Sequence, residues 1–475
     1  MNTITALSIS GILSLFLGFS NNKKILLPAT LVFILIALGV NIQEGLHEYL
    51  WFGNMMKTNH TSACFTSIIL VAVLLVTALS KNFESTHEYS QPAEYYALMQ
   101  FAAVGAIMMV TFQNIFMLFV GIEILSVSMY VLTGSDKTSL RSNEAALKYF
   151  LMGAFATAIF LFGVALVYGA TGSFDIYQIG AAIKESTPIM GTHVDPVLNI
   201  GVIMLFIGLL FKISAAPFHF WTPDVYEGAP SIFTAFMSTV VKTAGIVALY
   251  KILSIAFPGK YVLWGNPLIY IIYATLIISN ITALYQKSFK RMMAYSSISH
   301  AGYLLISILA FSENNNQNSI SALFFYSVAY TLATIAAFGV LMAVSEAKTK
   351  DGKADESIDA FNGLAHKNPL LAVVLGVSML SLSGIPLTAG FLGKLFVFTD
   401  AFSSTHNVFK NILTVAILMS TVGIYYYFKP IIAAFFKNGN TEKIELSNIY
   451  KIALIIITGL TLLFGIAPDF IKNLI

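Results

Sequence analysis

The sequence predicts an all-α, polytopic membrane protein of about 14 transmembrane helices, two of them discontinuous. Three observations carry that expectation. Of 475 residues, 57% are hydrophobic and only 10% charged, where soluble domains carry roughly 25% charge; the mean hydropathy is +0.79. The apolar residues gather into runs that match the roughly 20 helical residues needed to cross about 30 Å of hydrocarbon. The basic residues between those runs are unevenly shared between the two sides.

In chain order the runs are 3–20, 25–42, 63–80, 94–112, 113–133, 143–170, 198–222, 230–252, 264–286, 292–312, 318–345, 369–399, 408–428 and 449–470. Four lysines, Lys148, Lys212, Lys242 and Lys394, lie well inside runs, which leaves 22 of the 26 basic residues in loops, in tails or within three residues of a run end. With the N-terminus outside, 16 of them face the cytoplasm and 6 the other side, so the positive-inside rule predicts both termini outside the cytoplasm. No cleavable signal is expected at the start, because no basic residue precedes the first run. The polar stretch 346–367 reads as a solvated cytoplasmic loop, with a docking surface as the alternative.

Several chemistries are excluded. A net charge of +3, scattered along the chain, gives no nucleic-acid footprint. The single cysteine, Cys64, excludes an internal disulfide and a cysteine-ligated iron–sulfur cluster, which need two to four thiolates. No Gly-rich phosphate loop is present, so neither ATP-driven transport nor nicotinamide binding is expected of this chain. The expected catalytic, cofactor-binding and metal sites are therefore none.

The charges inside the runs are the functional signal. Glu123 sits about midway along the fifth run and Lys242 about 12 residues into the eighth, too deep to reach water by snorkelling. A central charge costs about 2.5–3.5 kcal/mol on insertion scales, so these groups must face one another or a hydrated interior. Ion pairs that merely fasten helices are the bland alternative. In KISAAPFHFWTPDVYEGAP (212–230), Pro217 lacks an N–H and crowds the preceding turn, so the helix carrying Lys212 should break there. Such irregular backbone survives in a membrane only when buried in protein or beside water. A second break is expected at Pro386 in SLSGIPLTAGFLGKLFVF (381–398), ahead of Lys394. The two broken runs lie five runs apart and cross in opposite directions, as inverted repeats require; two unrelated proline kinks are the alternative. His219, Asp224 and Glu227, just past the first break, form either a solvated turn or part of a cytoplasmic proton inlet.

PFHFWTPDVYEGAP with Lys212, MMAYSSISHAGYLL (292–305), GIEILSVSMYVL and SGIPLTAGFLGK together resemble the antiporter-like, proton-translocating subunits of respiratory complex I, over roughly residues 60 to 440. WTPDVYEGAP points to the subunit N branch of bacterial NADH:quinone oxidoreductase. The resemblance implies two inverted five-helix repeats, at 94–254 and 255–437, between N-terminal helices at 1–93 and a last helix at 438–475. It implies proton-transfer roles for Glu123, Lys212, Lys242 and Lys394, with Lys148 matching a less consistently placed lysine and His300 a linking polar residue. Desolvation loosens a lysine's hold on its proton and a nearby carboxylate restores it, so moving Glu123 relative to Lys212 offers a switch. The implied setting is a bacterial inner membrane. There FMN, iron–sulfur clusters and quinone reside in partner subunits, and neighbouring antiporter-like and small membrane subunits and lipid surround the chain. A subunit of an Mrp-type cation/proton antiporter or a related membrane-bound hydrogenase is the alternative.

Overall fold

The computed structural model describes residues 2–20, 23–80, 92–185, 196–314, 317–347, 349–350, 353–404, 407–439 and 442–475. Every predicted apolar run is met by a helix or a pair of helices, because backbone in hydrocarbon must satisfy its N–H and C=O groups within its own segment. The chain opens with α1 (Asn2–Leu17), α2 (Leu26–Glu44), α3 (His60–Leu79), α4 (Pro92–Thr111), α5 (Ile115–Thr133) and α6 (Leu140–Thr171). A short amphipathic helix, α7 (Ile176–Glu185), precedes the first broken run, which is α8 (Pro196–Ile213) followed by α9 (Trp221–Gly228). Next come α10 (Ser231–Ala256), α11 (Tyr261–Leu284), α12 (Phe289–Asn314) and α13 (Gln317–Ala347). The second broken run is α14 (Pro369–Ser383) and α15 (Ala389–Phe402), and α16 (Asn407–Phe436) and α17 (Asn448–Ile466) complete the order. Among the described residues, twelve helices are long and apolar enough to cross a membrane, and α1 and α14 are shorter apolar helices. Two small antiparallel hairpins, Tyr49–Trp51 with Met56–Thr58 and Thr349–Lys350 with Lys353–Ala354, are the described strands.

Burial sorts the helices. The most apolar window of α10 is 100% buried and that of α13 94%, whereas α16 and α17 bury only 28% of theirs. Helix α10 packs against α3, α4, α8, α12 and α13, while α13 packs against α3, α12, α14, α15 and α17. These two helices are therefore the interior on which a polar path can run without touching lipid.

Two sequence expectations change. The described part of 346–367 is anchored, not a free solvated loop: the Phe289 N–H donates to the Glu356 carbonyl (2.9 Å) and the Ile358 N–H to that of Lys287 (3.1 Å). Glu356 also pairs with Lys290 at 2.8 Å, and Ala360 and Phe361 are buried. Lys251, counted above among the loop charges, lies inside α10, where its ammonium donates to the carbonyls of Val110 (3.1 Å) and Phe112. The helix runs on to Ala256, so a lysine one residue from the end of the predicted run 230–252 is not at a loop boundary.

Candidate proton-transfer site

The first break begins where α8 stops at Ile213, with Ser214 at φ +63° and a cis peptide before Pro217. Polar groups freed there find protein partners. The Ala216 N–H donates to Thr275 Oγ1 (3.0 Å), Thr222 Oγ1 to Ser214 Oγ (2.7 Å) and Trp221 Nε1 to the Phe211 carbonyl (3.1 Å). This places Lys212 in the last turn of α8, buried, with Nζ donating to Ser126 Oγ at 2.7 Å. Ser126 is one turn beyond Glu123 on α5. Glu123 itself is half-buried, and among the described residues it forms no ion pair with Lys212. Lys212 meets Ser126 instead, whose hydroxyl in turn donates to the Ile122 carbonyl. The Tyr149 ring lies 6.0 Å from the Lys212 ammonium and stacks on Trp221 at 4.8 Å.

Lys242 follows a π-helical turn, Met237–Val241, a local departure from α geometry often found at functional sites. Its buried Nζ donates to both the carbonyl (2.5 Å) and the Oγ (2.7 Å) of Ser297 on α12. One turn along α12, His300 is held at both ring nitrogens: Nδ1 pairs with the Tyr326 hydroxyl (2.7 Å) and Nε2 with that of Tyr427 (3.1 Å). Tyr427 also meets Ser296, and its neighbour Tyr426 donates to Asn280 (3.0 Å), which donates to Ser299 (2.8 Å).

The second break ends α14 at Ser383, where Gly384 takes φ +85°. Lys394, on α15, reaches back across that break. Its buried Nζ donates to the carbonyls of Leu382 (3.1 Å) and Ser383 (2.8 Å) and to Ser420 Oγ (3.0 Å), and lies 5.1 Å from the Tyr303 ring. Gly390 also lets the two half-helices close up, since a Cβ there would stand 1.9 Å from the Ser381 carbonyl oxygen.

The structure thus gathers Lys242, His300 and Lys394 in one buried region: Ser297, the partner of Lys242, is one turn before His300 on α12, and the Tyr303 ring lies 6.0 Å from the His300 ring and 5.1 Å from the Lys394 ammonium, with Lys212 and Ser126 to one side. Gly245, one turn beyond Lys242, packs against Ile213 at the end of α8. Lys148 lies apart. It pairs with Glu144 (2.7 Å) and Asp224 (2.8 Å) at a mouth where its side chain is 40% exposed. Arg291 joins Asp224 (2.8 Å) to Glu227 (2.9 Å), and the cluster borders an open recess of about 210 Å³. Burial alone would push the Asp224 carboxyl up, but hydrogen bonds and charge from Lys148 and Arg291 outweigh it and hold it below the usual range. His219, at the turn between the half-helices, is buried. Sequence reasoning missed Ser126, Ser297, Tyr326, Tyr427 and Asn280, since a hydroxyl or an amide in an apolar helix carries no charge to mark it.

The sequence matches the family described as NADH:quinone oxidoreductase/Mrp antiporter, TM, over residues 113–420. It is 38% identical to NADH-quinone oxidoreductase subunit N of Flavobacterium psychrophilum and 39% identical to that of Flavobacterium johnsoniae, in each case across 100% of both chains. Among solved structures, it superposes on a chain of respiratory complex I from Thermus thermophilus with a TM-score of 0.83 at 32% identity, covering 99% of this chain and 98% of the other. The Mrp complex from Dietzia sp. gives a TM-score of 0.82 at 19% identity over 100% and 96% of the two chains, a likeness of fold alone.

Proposed function

We infer this chain's role from one premise: it belongs to the subunit N family of NADH-quinone oxidoreductase, within the NADH:quinone oxidoreductase/Mrp antiporter membrane family. Its role is to conduct protons through the membrane arm of that enzyme, using Glu123, Lys148, Lys212, Lys242, His300 and Lys394, while quinone is reduced elsewhere in the complex. The observation that carries this reading is the buried run Lys242–Ser297, His300–Tyr326/Tyr427 and Lys394–Ser420, built from groups that each donate and accept a proton or hold a charge. Helices fastened by ion pairs alone do not require it.

The order of elements supports the two-repeat division at 94–254 and 255–437. In each, two helices precede a very long one, of 32 residues in α6 and 31 in α13, and a broken pair and one further helix follow. The segments 1–93 and 438–475 flank them. Glu123 and Lys212 act as the modulating pair of the first half, with the Lys148–Asp224–Arg291 cluster as its aqueous inlet. FMN, iron–sulfur clusters and quinone belong to partner chains. The neighbours are other antiporter-like and small membrane subunits and lipid, in a bacterial inner membrane with both termini outside the cytoplasm. Purifying the tagged chain from its native membrane tests the assignment: flavin and iron–sulfur subunits should accompany it, and a set of small membrane subunits alone would refute it.

A further inference from the structure

We propose that Asp400 is a proton-exchange station through which the His300 network communicates with the end of the protein that carries the C-terminus; this rests on the proton-conducting role above. Asp400 lies near the end of α15 and is 7% exposed, and among the described residues neither carboxyl oxygen has a well-aligned hydrogen-bond partner. Ser319 Oγ at the start of α13 faces the carboxyl, and both it and Ser404 Oγ just past α15 are buried without a well-aligned hydrogen-bond partner among the described residues. The carboxyl borders an open recess of about 280 Å³ that Ser321, Thr399, Ser403 and Lys472 help to line. Lys472 sits 5.1 Å from the Phe396 ring and forms no ion pair with Asp400. An ionised carboxylate is costly to bury without hydrogen bonds, whereas a carboxylic acid, or a carboxylate reached by water, is not. Alternation between those two conditions is what a proton-exchange group requires.

Helix periodicity connects this corner to the centre. Tyr326, which holds His300 Nδ1, lies seven residues after Ser319 on α13. Gly393, where a Cβ would stand 2.6 Å from the Tyr326 ring, lies seven residues before Asp400 on α15. Seven residues make about two turns, roughly 10 Å along one face of each helix. Since α13 and α15 pack together, their seam runs from the His300–Tyr326 node to Ser319 and Asp400. Buried Leu323 and Val397 fill its middle, so transfer requires water to enter the seam.

In the step, an N–H bond of the Lys394 ammonium breaks and water in the seam carries the proton outward. An O–H bond forms on the Asp400 carboxylate, and Lys394 is left as a neutral amine. The Asp400 acid then releases its proton to water in the recess, and Lys394 regains one from the His300 side. The second half thus holds a buried carboxylate, one residue beyond the predicted run 369–399.

Closed vesicles containing the assembled complex test this by NADH-driven proton transport and quinone reduction measured side by side. Asp400→Asn should lower both about tenfold or more, the smaller share of a general acid–base contribution, while Asp400→Glu should keep a large part. Wild-type transport in the assembled Asn variant overturns the proposal. Lys394→Ala, run in parallel, separates the failures: if it transports normally, the conducting role falls, and if only Asp400→Asn is normal, the station alone falls. Should Asp400→Asn not assemble, Ser321→Phe, which obstructs the recess, decides instead, loss of transport supporting the station and unchanged transport overturning it.

Discussion

Lys394 owes its position to Gly384, which does two things at once. It adopts φ +85°, and a Cβ there would stand 2.9 Å from Lys394 Cδ and 3.2 Å from its Nζ. Gly384→Ala should therefore cost about 1–2 kcal/mol for the left-handed backbone alone and displace the ammonium from the Leu382 and Ser383 carbonyls. A lower unfolding temperature together with reduced proton transport checks it; a variant with unchanged values for both would contradict this account of the site. Lys394→Arg should assemble but transport poorly, because a guanidinium keeps its proton and is bulkier against Gly384. Full transport by that variant would mean that Lys394 supplies only a fixed charge. Glu123→Gln should lower proton transport and quinone reduction together, with a smaller loss for Glu123→Asp. The lysines were legible in the sequence because a charge in an apolar run is conspicuous and energetically costly. Their partners were not, because Ser297, Tyr326 and Tyr427 read as ordinary helix residues until folding brings Ser297 to Lys242 and the two tyrosine hydroxyls to His300. That Ser126, one turn past Glu123, is the residue Lys212 meets was not legible either: helix pitch decides which residue faces the lysine, and spacing along a single chain does not set the rotation of the other helix.

The broken helices are the elements that turn composition into a site. Each ends a helix inside the apolar layer, and in each the freed polar groups are taken up by protein: Thr275 and Trp221 at the first, Lys394 and Ser381 at the second. Proline and glycine announced both interruptions, since they act locally through the backbone. The π-turn before Lys242 carried no such signal, as MSTVV contains neither. Past the first break, α9 presents Asp224 to Lys148 and Arg291, and its lowered carboxyl pKa fixes a sign. Such a group contributes stability above its unfolded value of about 3.9, and that contribution is lost as pH falls through the still lower folded value. Thermal stability of the purified complex should therefore fall on acidification below about pH 4, and Asp224→Asn should flatten that fall. An identical acid profile for wild type and variant would remove the cluster from the account of how α6, α9 and α12 are held together.

At the scale of the whole molecule, the two ends differ in chemistry. One end holds the ion pairs of Asp224, Arg291, Lys290 and Glu356, while the other holds Asp400, Lys472 and the C-terminal Leu474 carbonyl, which the His60 ring meets at 2.7 Å. The helical class and the positions of the crossings were legible because hydrocarbon permits few backbone solutions. The lateral connection between α10, α12, α13 and α15 was not, because it depends on which helices become neighbours in the interior. That connection is the central claim, and Lys242 is its most exacting test, being buried at the start of the network with Ser297 as its partner. Lys242→Met keeps the length and apolar stem while removing the proton-carrying group. The decisive measurement is NADH-driven proton transport and quinone reduction in closed vesicles whose complex is shown to be fully assembled. The account predicts that the Met variant loses both, by about tenfold or more. Wild-type proton transport in that variant would contradict it.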